Sequence, residues 1–328
     1  MNMQVIRRIL ALAIPAMTLF APALSHAEWT PTRPVEIIVH TGPGGGNDIL
    51  ARAVVTMMAQ EKLVPVRMQV LNKPGGGGAV AAAAVYERKD DPYTLGFITS
   101  VWLATALTAK ESKVTIYDLK PIAQLLREPA VFAVRADSPF KTLKQFIDAA
   151  KAHPGTLKQS GGSITSRDNI IREQLQHATG AKWAYVSFPS GGDRLAALLG
   201  GHVDIMVIEP QEAGENVRAG KLRVLAQLSE TRLPKWPDVP TLKEAGFDVT
   251  PTPQIRGVVA PPQMPPEAAA YWIGRFDKLT HTASWKKYLE ENELEPAFVP
   301  GDAFLKSMKE TSGELREQYQ KAGVKVYR

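Results

Sequence analysis

The residues best suited to chemistry in this 328-residue sequence are the glycines of four short loops. The loops are Gly42–Asn47, Asn72–Gly78, Ser160–Ser163 and Pro189–Gly192. They lie at the ends of predicted strands and lead into segments with helical periodicity. A glycine-rich turn that opens a helix presents backbone N–H groups at the positive end of the helix dipole, which favours an anion. We therefore predict an anion site, with simple tight turns as the alternative interpretation.

The loops do not fit the two common nucleotide-binding motifs. Gly42 and Gly44 match the start of G-x-G-x-x-G, but Asn47 stands where the third glycine belongs. The second predicted strand ends in Asn72, which leaves no acid to bind a ribose hydroxyl. No Gly-Lys-Ser or Gly-Lys-Thr triplet occurs, so the P-loop motif is missing as well. An anion other than a nucleotide is favoured.

The sequence does not indicate a catalytic or metal-binding arrangement. It contains no cysteine, and its six histidines lack the spacing of metal ligands. Gly161–Thr165 begins like the turn around a hydrolase nucleophile but lacks the final glycine. Ser163 is therefore interpreted as a helix-start residue or as a hydrogen-bonding partner of a ligand. We expect no catalysis, no metal ion and no cofactor.

Repeated strand–turn–helix units predict the fold class. The first unit contains three predicted strands, Val35–His40, Val66–Leu71 and Thr94–Ile98, with helices after the glycine loops. A second unit of the same kind spans roughly residues 128–228. Such units indicate an α/β fold built on parallel sheets.

The last hundred residues supply one predicted strand, Gln254–Ala260, and several helices, which is too little for a third sheet. We predict that they complete the first domain and that Ile122–Leu126 and Val224–Leu228 cross between two lobes. The predicted division is 28–125 with 229–328 for domain I and 126–228 for domain II. Two connecting strands predict a hinge, with a ligand cleft at the carboxyl ends of the strands.

The N-terminus predicts export. Arg7 and Arg8 precede an apolar run from Ile9 to Leu24, and small residues follow it up to Ala27. The run contains two prolines and is shorter than the ~20 residues of a membrane-spanning helix. We predict a signal peptide over residues 1–27, cleaved after Ala27, and a periplasmic protein. Without Arg7 and Arg8, 37 basic side chains remain against 33 acidic ones, a net charge of +4 without basic clusters. Nucleic acid is therefore not an expected partner.

Five segments together resemble one protein family. They are RPVEIIV (33–39), GPGGGNDILAR (42–52), NKPGGGG (72–78), PDVPTLKEAG (237–246) and RG followed by APP (256–262). They resemble the substrate-binding proteins of tripartite tricarboxylate transporters, the Bug family, in order over the whole mature chain. The resemblance implies a two-lobe periplasmic-binding-protein fold of type II-like architecture. It also implies a receptor that captures a small organic carboxylate and delivers it to integral-membrane permease subunits.

The resemblance implies ligand-binding residues in both lobes. The first two loops would hold a carboxylate through backbone amides and ordered water, and loops of the second lobe would close over it. The residues concerned are Gly42, Pro43, Gly44, Gly45, Asn47, Asn72, Gly75, Gly76, Thr99, Ser100, Ser160, Gly161, Ser163, Thr165, Ser166, Ser190, Gly191 and Gly192.

Three charged residues depart from this neutral pattern. Arg167 stands where family members often carry a His-Leu pair, and it either is solvated or pairs with a distal carboxylate of the ligand. Arg256 either pairs with an acid of the protein or is a second partner for the ligand. Glu209 is expected to line the same cleft, where it hydrogen-bonds a ligand hydroxyl or orients an arginine.

Two other functions share parts of this pattern. An exported hydrolase would turn over esters or amides, and an effector-binding module of a regulator would need a DNA-binding motif where the signal peptide lies. The ligand class stays open among citrate-like, C4-dicarboxylate, aromatic and acidic amino-acid carboxylates. We expect a monomer.

Overall fold

The computed structural model describes residues 29–249, 254–321 and 323–327, which form two α/β lobes. The predicted signal peptide lies outside the described residues. In chain order the elements are β1 (Val35–Val39), α1 (Gly46–Gln60), β2 (Met68–Asn72), α2 (Ala79–Tyr86), β3 (Thr94–Thr99), α3 (Ser100–Thr108), β4 (Lys120–Glu128), β5 (Ala130–Arg135), α4 (Leu143–Ala152), β6 (Lys158–Gly161), α5 (Arg167–Thr179), β7 (Ala184–Ser187), α6 (Gly191–Leu199), β8 (Ile205–Ile208), α7 (Pro210–Arg218), β9 (Leu222–Leu228), β10 (Gln254–Ala260), α8 (Pro266–His281), α9 (Ala283–Glu291), β11 (Glu295–Pro300) and α10 (Gly301–Lys321).

Two mixed sheets organise the lobes. Lobe I has the strand order β11-β4-β10-β3-β1-β2, and lobe II has the order β7-β6-β8-β5-β9. β1 is parallel to β2 and β3, and β6 is parallel to β7 and β8. β4, β5, β9, β10 and β11 join their sheets antiparallel. The expectation of parallel sheets is thus wrong for these strands. None of these five strands is connected to its neighbour in the sheet by a single strand–helix–strand crossover, which is the connection that makes two neighbouring strands parallel.

Each sheet is covered on both faces by apolar side chains. In lobe I, Trp272 and Phe276 of α8 pack on one face, while Trp102 of α3 and Phe304 of α10 pack on the other. In lobe II, two further clusters cover β5, β8 and β9. Burial of each large apolar side chain contributes about 1.5–3 kcal/mol of transfer free energy. The loops at the strand ends are therefore attached to two separately packed sheets.

The chain crosses between the lobes at Pro129. β4 ends at Glu128 in the first sheet and β5 begins at Ala130 in the second. After β9 the chain stays with lobe II, because Leu242 and Phe247 lie in its core, and it rejoins the first sheet in β10. The return of the chain to domain I at residue 229 stays a prediction. The packing of Leu242 and Phe247 in lobe II favours a return further along the chain.

Four elements were not recognised in the sequence: α3, β6, α7 and β11. The helix α3 is apolar on almost every side and so shows no stripe, and β11 is an edge strand that contains two prolines. The predicted strands Val35–His40, Val66–Leu71, Thr94–Ile98 and Gln254–Ala260 correspond to β1, β2, β3 and β10, with small shifts at their ends. Among the described residues, the longest helices lack the continuous apolar stretch that a bilayer crossing requires.

Candidate functional site

A cleft of about 420 Å³ lies between the lobes, at the carboxyl ends of the parallel strands. Lobe I contributes the residues after β1, β2 and β3, and lobe II contributes those after β6, β7 and β8. The structure thus brings together loops that are far apart in the sequence, such as those of Thr41 and Ser190. The predicted ligand residues that line the cleft are Gly45, Asn47, Gly75, Gly76, Thr99, Ser163, Ser166, Ser190, Gly191, Glu209 and Arg256.

The other predicted ligand residues lie beside the cleft rather than on its wall: Gly42, Pro43, Gly44, Asn72, Ser100, Ser160, Gly161, Thr165, Arg167 and Gly192. Asn72 donates to the Thr41 carbonyl oxygen at 2.8 Å and to Asp48 at 2.9 Å, which ties two loops together. The Ser100 hydroxyl accepts from the Ile255 amide at 2.9 Å. These side chains support the loops, and their contact with a ligand stays a prediction.

The first wall of the cleft is the start of α1. Its N-cap residue, Gly45, has no side chain to accept from the first-turn N–H groups. Asp48 accepts from the Gly44 amide at 3.0 Å and from Arg52. Burial acts to raise the pKa of Asp48, but the hydrogen bonds from Arg52, Asn72 and the Gly44 amide together outweigh it and hold that pKa below its usual value. The free amides of this turn suit an anion or water.

The second glycine loop approaches α3 closely. Gly77 and Gly78 have φ values of 61° and 95°, in the left-handed region that favours glycine. A methyl group on Gly78 would lie 2.8 Å from the Trp102 ring. The Trp102 indole N–H donates to His40 Nδ1 at 3.0 Å. Burial, together with the charge of Arg256, lowers the pKa of His40 to about 3, so that its ring is neutral.

The wall in lobe II is made by the starts of α5 and α6. The Ser190 hydroxyl caps α6 by accepting from the Asp193 amide at 3.2 Å. Ser166 precedes α5, and its hydroxyl is 3.0 Å from the Tyr185 hydroxyl. A methyl group on Gly42 would lie 3.5 Å from the Ser190 side chain, so the two lobes face each other across a narrow gap.

Buried ion pairs form the inner end of the cleft. Arg256 pairs with Glu128, with Nε 2.7 Å from a carboxylate oxygen, and the two side chains are 2% and 0% exposed. Arg167 donates to the Glu128 carbonyl oxygen at 2.7 Å and to Glu209 at 3.1 Å. The protein itself therefore compensates the charges of both arginines that the sequence offered as ligand partners. Of the alternatives for Arg256, the structure shows the pairing with an acid of the protein.

Arg194 connects the remaining acids of this cluster. Its guanidinium lies 2.8 Å from Asp168, 3.2 Å from Glu212 and 3.4 Å from Glu209. Glu209 thus orients arginines, which is one of the two roles expected for it. Asp168, Arg194 and Glu212 were missed in the sequence, because no local pattern marks a charge whose partner comes from a distant strand or helix.

The acids of the cluster have different pKa values. Burial raises the pKa of Glu128. Burial also acts to raise the pKa of Glu209, but Arg194 and Arg167 outweigh it and lower that pKa. Burial, with the neighbouring charge of Glu209, raises the pKa of Glu212 to about 8. The titration of Glu212 therefore lies close to neutral pH.

The tripartite tricarboxylate transporter family receptor model (TctC) matches residues 50–323 of the chain. The chain belongs to this family. A relative from Cupriavidus necator, described as the UPF0065 protein in the gbd 5' region, is 30% identical over 315 residues, which cover 96% of this chain and 94% of the relative. The prediction of a Bug-type solute receptor is confirmed.

Solved structures show the same fold. The periplasmic binding protein BugD superposes with a TM-score of 0.84 at 22% identity, over 90% of this chain and 99% of BugD. R. palustris Rpa4515, solved with adipate, superposes with a TM-score of 0.85 at 23% identity, over 90% of this chain and 98% of that protein. The predicted two-lobe α/β fold of periplasmic binding proteins is therefore confirmed for this receptor.

The described part of the receptor offers no arrangement for a bound metal ion. Within residues 29–249, 254–321 and 323–327, no three histidine, aspartate or glutamate side chains form a group that could hold one. The cleft instead offers backbone amides, hydroxyl groups and paired charges. This set suits the reversible binding of a polar solute.

Proposed function

We propose that this receptor binds a small organic carboxylate in the cleft between its lobes and passes it to permease subunits in the membrane. The observation that carries the proposal is the start of α1, which opens on the cleft with a glycine N-cap and uncapped first-turn amides. A carboxylate there accepts hydrogen bonds from neutral donors. Hydrogen bonds to a charged acceptor contribute about 1.5–3 kcal/mol each.

The helix dipole adds to these hydrogen bonds. A negative charge at one helix N-terminus gains about 0.3–1 kcal/mol, and α1 and α6 both begin at the cleft. The adipate bound by Rpa4515 supports a carboxylate ligand of similar size. In this proposal the paired arginines of the inner cluster stabilise the lobes, whereas the helix N-termini provide the first contact with the anion.

The receptor acts in our proposal as a monomer without catalysis. The family description, a transporter receptor, supports solute capture rather than turnover. We also propose that the exported form begins at Glu28, after cleavage behind Ala27. Mass spectrometry of the protein recovered from the periplasm tests this, and an intact Met1 would contradict it.

Calorimetric titration of the mature protein with succinate, glutarate, adipate, citrate and benzoate tests the binding proposal. We expect at least one of them to bind, and the corresponding amide of that compound, which has a similar shape without charge, to bind at least about 10-fold more weakly. The exposed variant Gly313→Ala, on α10 with no atom near the added methyl group, is the matched control and should bind like the parent. Equal binding of the acid and its amide would contradict the proposal.

A further inference from the structure

Glu212 has an unusual position for an acid in a carboxylate receptor. It lies in the first turn of α7 and lines the cleft, with a side chain that is 6% exposed. A methyl group on Gly46 would lie 2.9 Å from its Oε1, and one on Gly191 would lie 2.8 Å from its Oε2. The carboxylate therefore sits beside the first residues of α1 and α6, one from each lobe.

Two further acceptors belong to residues of the same cleft wall and have no partner among the described residues. Asn47, which follows Gly46, donates through Nδ2 to the Phe97 carbonyl oxygen at 2.7 Å, and this fixes its Oδ1 as the free end. Asn47 is 0% exposed, lines the cleft, and its Oδ1 has no hydrogen-bond partner among the described residues. The buried hydroxyl of Thr41, also on the cleft wall, has no partner there either. Buried polar atoms are normally satisfied, so these await a donor.

The cations of the cluster leave this acceptor group short of positive charge. Arg167, Arg194 and Arg256 face four carboxylates, those of Glu128, Asp168, Glu209 and Glu212. Glu212 shares Arg194 with two other acids, Asp168 and Glu209. With Glu212 ionised, a second anionic group of a ligand would be repelled here, whereas a cationic donor would be bound.

We propose that Glu212 and Asn47 form a subsite for a protonated amine, so that this receptor prefers carboxylates that carry an ammonium group over the same carboxylates without one. The inference rests on the proposed function, because the ligand carboxylate occupies the helix N-termini beside the subsite. An α-amino acid carries both groups on one carbon atom, so that they lie side by side as the neighbouring amides and acceptors do.

Matched ligand pairs test the subsite: succinate with L-aspartate, glutarate with L-glutamate, and adipate with L-2-aminoadipate. We expect the amino compound to bind about 10- to 150-fold more tightly in at least one pair, as a charge-assisted hydrogen bond predicts. Glu212→Gln should remove most of this preference. Glu215→Gln, an exposed acid one turn further along α7, should keep it.

A second measurement does not depend on a variant. Glu212 is faced by Arg194 of α6, Glu209 before α7, Glu128 of β4 and Arg256 of β10, and its pKa is raised to about 8. An ammonium group favours the ionised form, so binding of the amino compound at pH 7 should release protons, measured by calorimetry in buffers of different ionisation enthalpy.

The outcomes separate the two proposals. Equal binding within every pair, or an amino preference that Glu212→Gln leaves intact, overturns the amine subsite and leaves the carboxylate receptor standing. Absence of proton release on binding of the amino compound also overturns it. If no carboxylate of either panel binds, both proposals fail.

Discussion

At the scale of single residues, the inner end of the cleft is built from charges that neutralise one another. Arg256 and Glu128 come from adjacent strands of lobe I, at the point where the chain leaves for lobe II. Removal of one member of a buried pair leaves the other charge uncompensated, whereas removal of both avoids that penalty. Arg256 therefore contributes mainly to the stability of the fold, whereas a cation that selects the ligand would contribute to binding.

Arg256→Ala should lower the free energy of unfolding by about 3–5 kcal/mol. The double variant with Glu128→Ala should lose at least about 1 kcal/mol less than the sum of the two single losses, because the partners are coupled. Urea unfolding followed by circular dichroism measures this. Arg88→Ala, which removes an exposed pair with Glu36, is the control and should change little. Additive losses at Arg256 and Glu128 would contradict the coupling.

The proposed amine subsite makes ligand binding dependent on pH through Glu212. Burial raises its folded-state pKa to about 8, so the carboxyl is largely protonated at pH 6 and largely ionised at pH 9. If it receives an ammonium group, the affinity for L-glutamate relative to glutarate should rise across this range. Titrations at pH 6, 7, 8 and 9 measure the ratio. A ratio that stays flat in the parent, or one that rises equally in Glu212→Gln, would disprove the link.

At the scale of elements, the strand–glycine–helix units could be predicted and their surroundings could not. The glycine loops can be recognised in the sequence itself, because backbone φ values such as 61° at Gly77 favour glycine. Arg194 and Glu212 carry no such mark, because their partners are set by how α5, α6 and α7 pack. The wrong expectation of parallel sheets has the same origin. The direction of β10 depends on the path by which the chain returns from lobe II to the sheet of lobe I.

Gly46→Ala tests the start of α1 as a contact between lobes. The added methyl group would lie 2.7 Å from Nη2 of Arg256 and 2.9 Å from Oε1 of Glu212, so it should act as a wedge. We expect affinity to fall by at least about 10-fold for every ligand alike, as the loss of one good contact predicts. Gly313→Ala provides the control in calorimetry. A loss confined to amino ligands would show that the effect is local to the amine subsite.

At the scale of the whole molecule, the lobes are connected by contacts outside the cleft as well. Gln211 of α7 donates to Glu128 of β4 at 2.5 Å and to the Gly46 carbonyl oxygen at 3.5 Å, and it accepts from the Tyr288 hydroxyl at 3.1 Å. On the other side, the Tyr319 hydroxyl donates to the Thr165 carbonyl oxygen at 2.7 Å. These contacts favour the arrangement in which both walls meet a ligand.

Gln211→Ala should therefore weaken binding without touching the ligand. A ligand that contacts both lobes favours the closed arrangement by its differential affinity, and the apparent affinity falls with the closed fraction. We expect a loss on the order of 10-fold for all ligands alike, and a radius of gyration from small-angle scattering that decreases on ligand addition in both proteins. The exposed Gln320→Ala on α10 is the control. Because Gln211 connects α1, α7 and α9 at once, unchanged affinity in its variant, or scattering that does not respond to saturating ligand, would mean that closure is not coupled to binding.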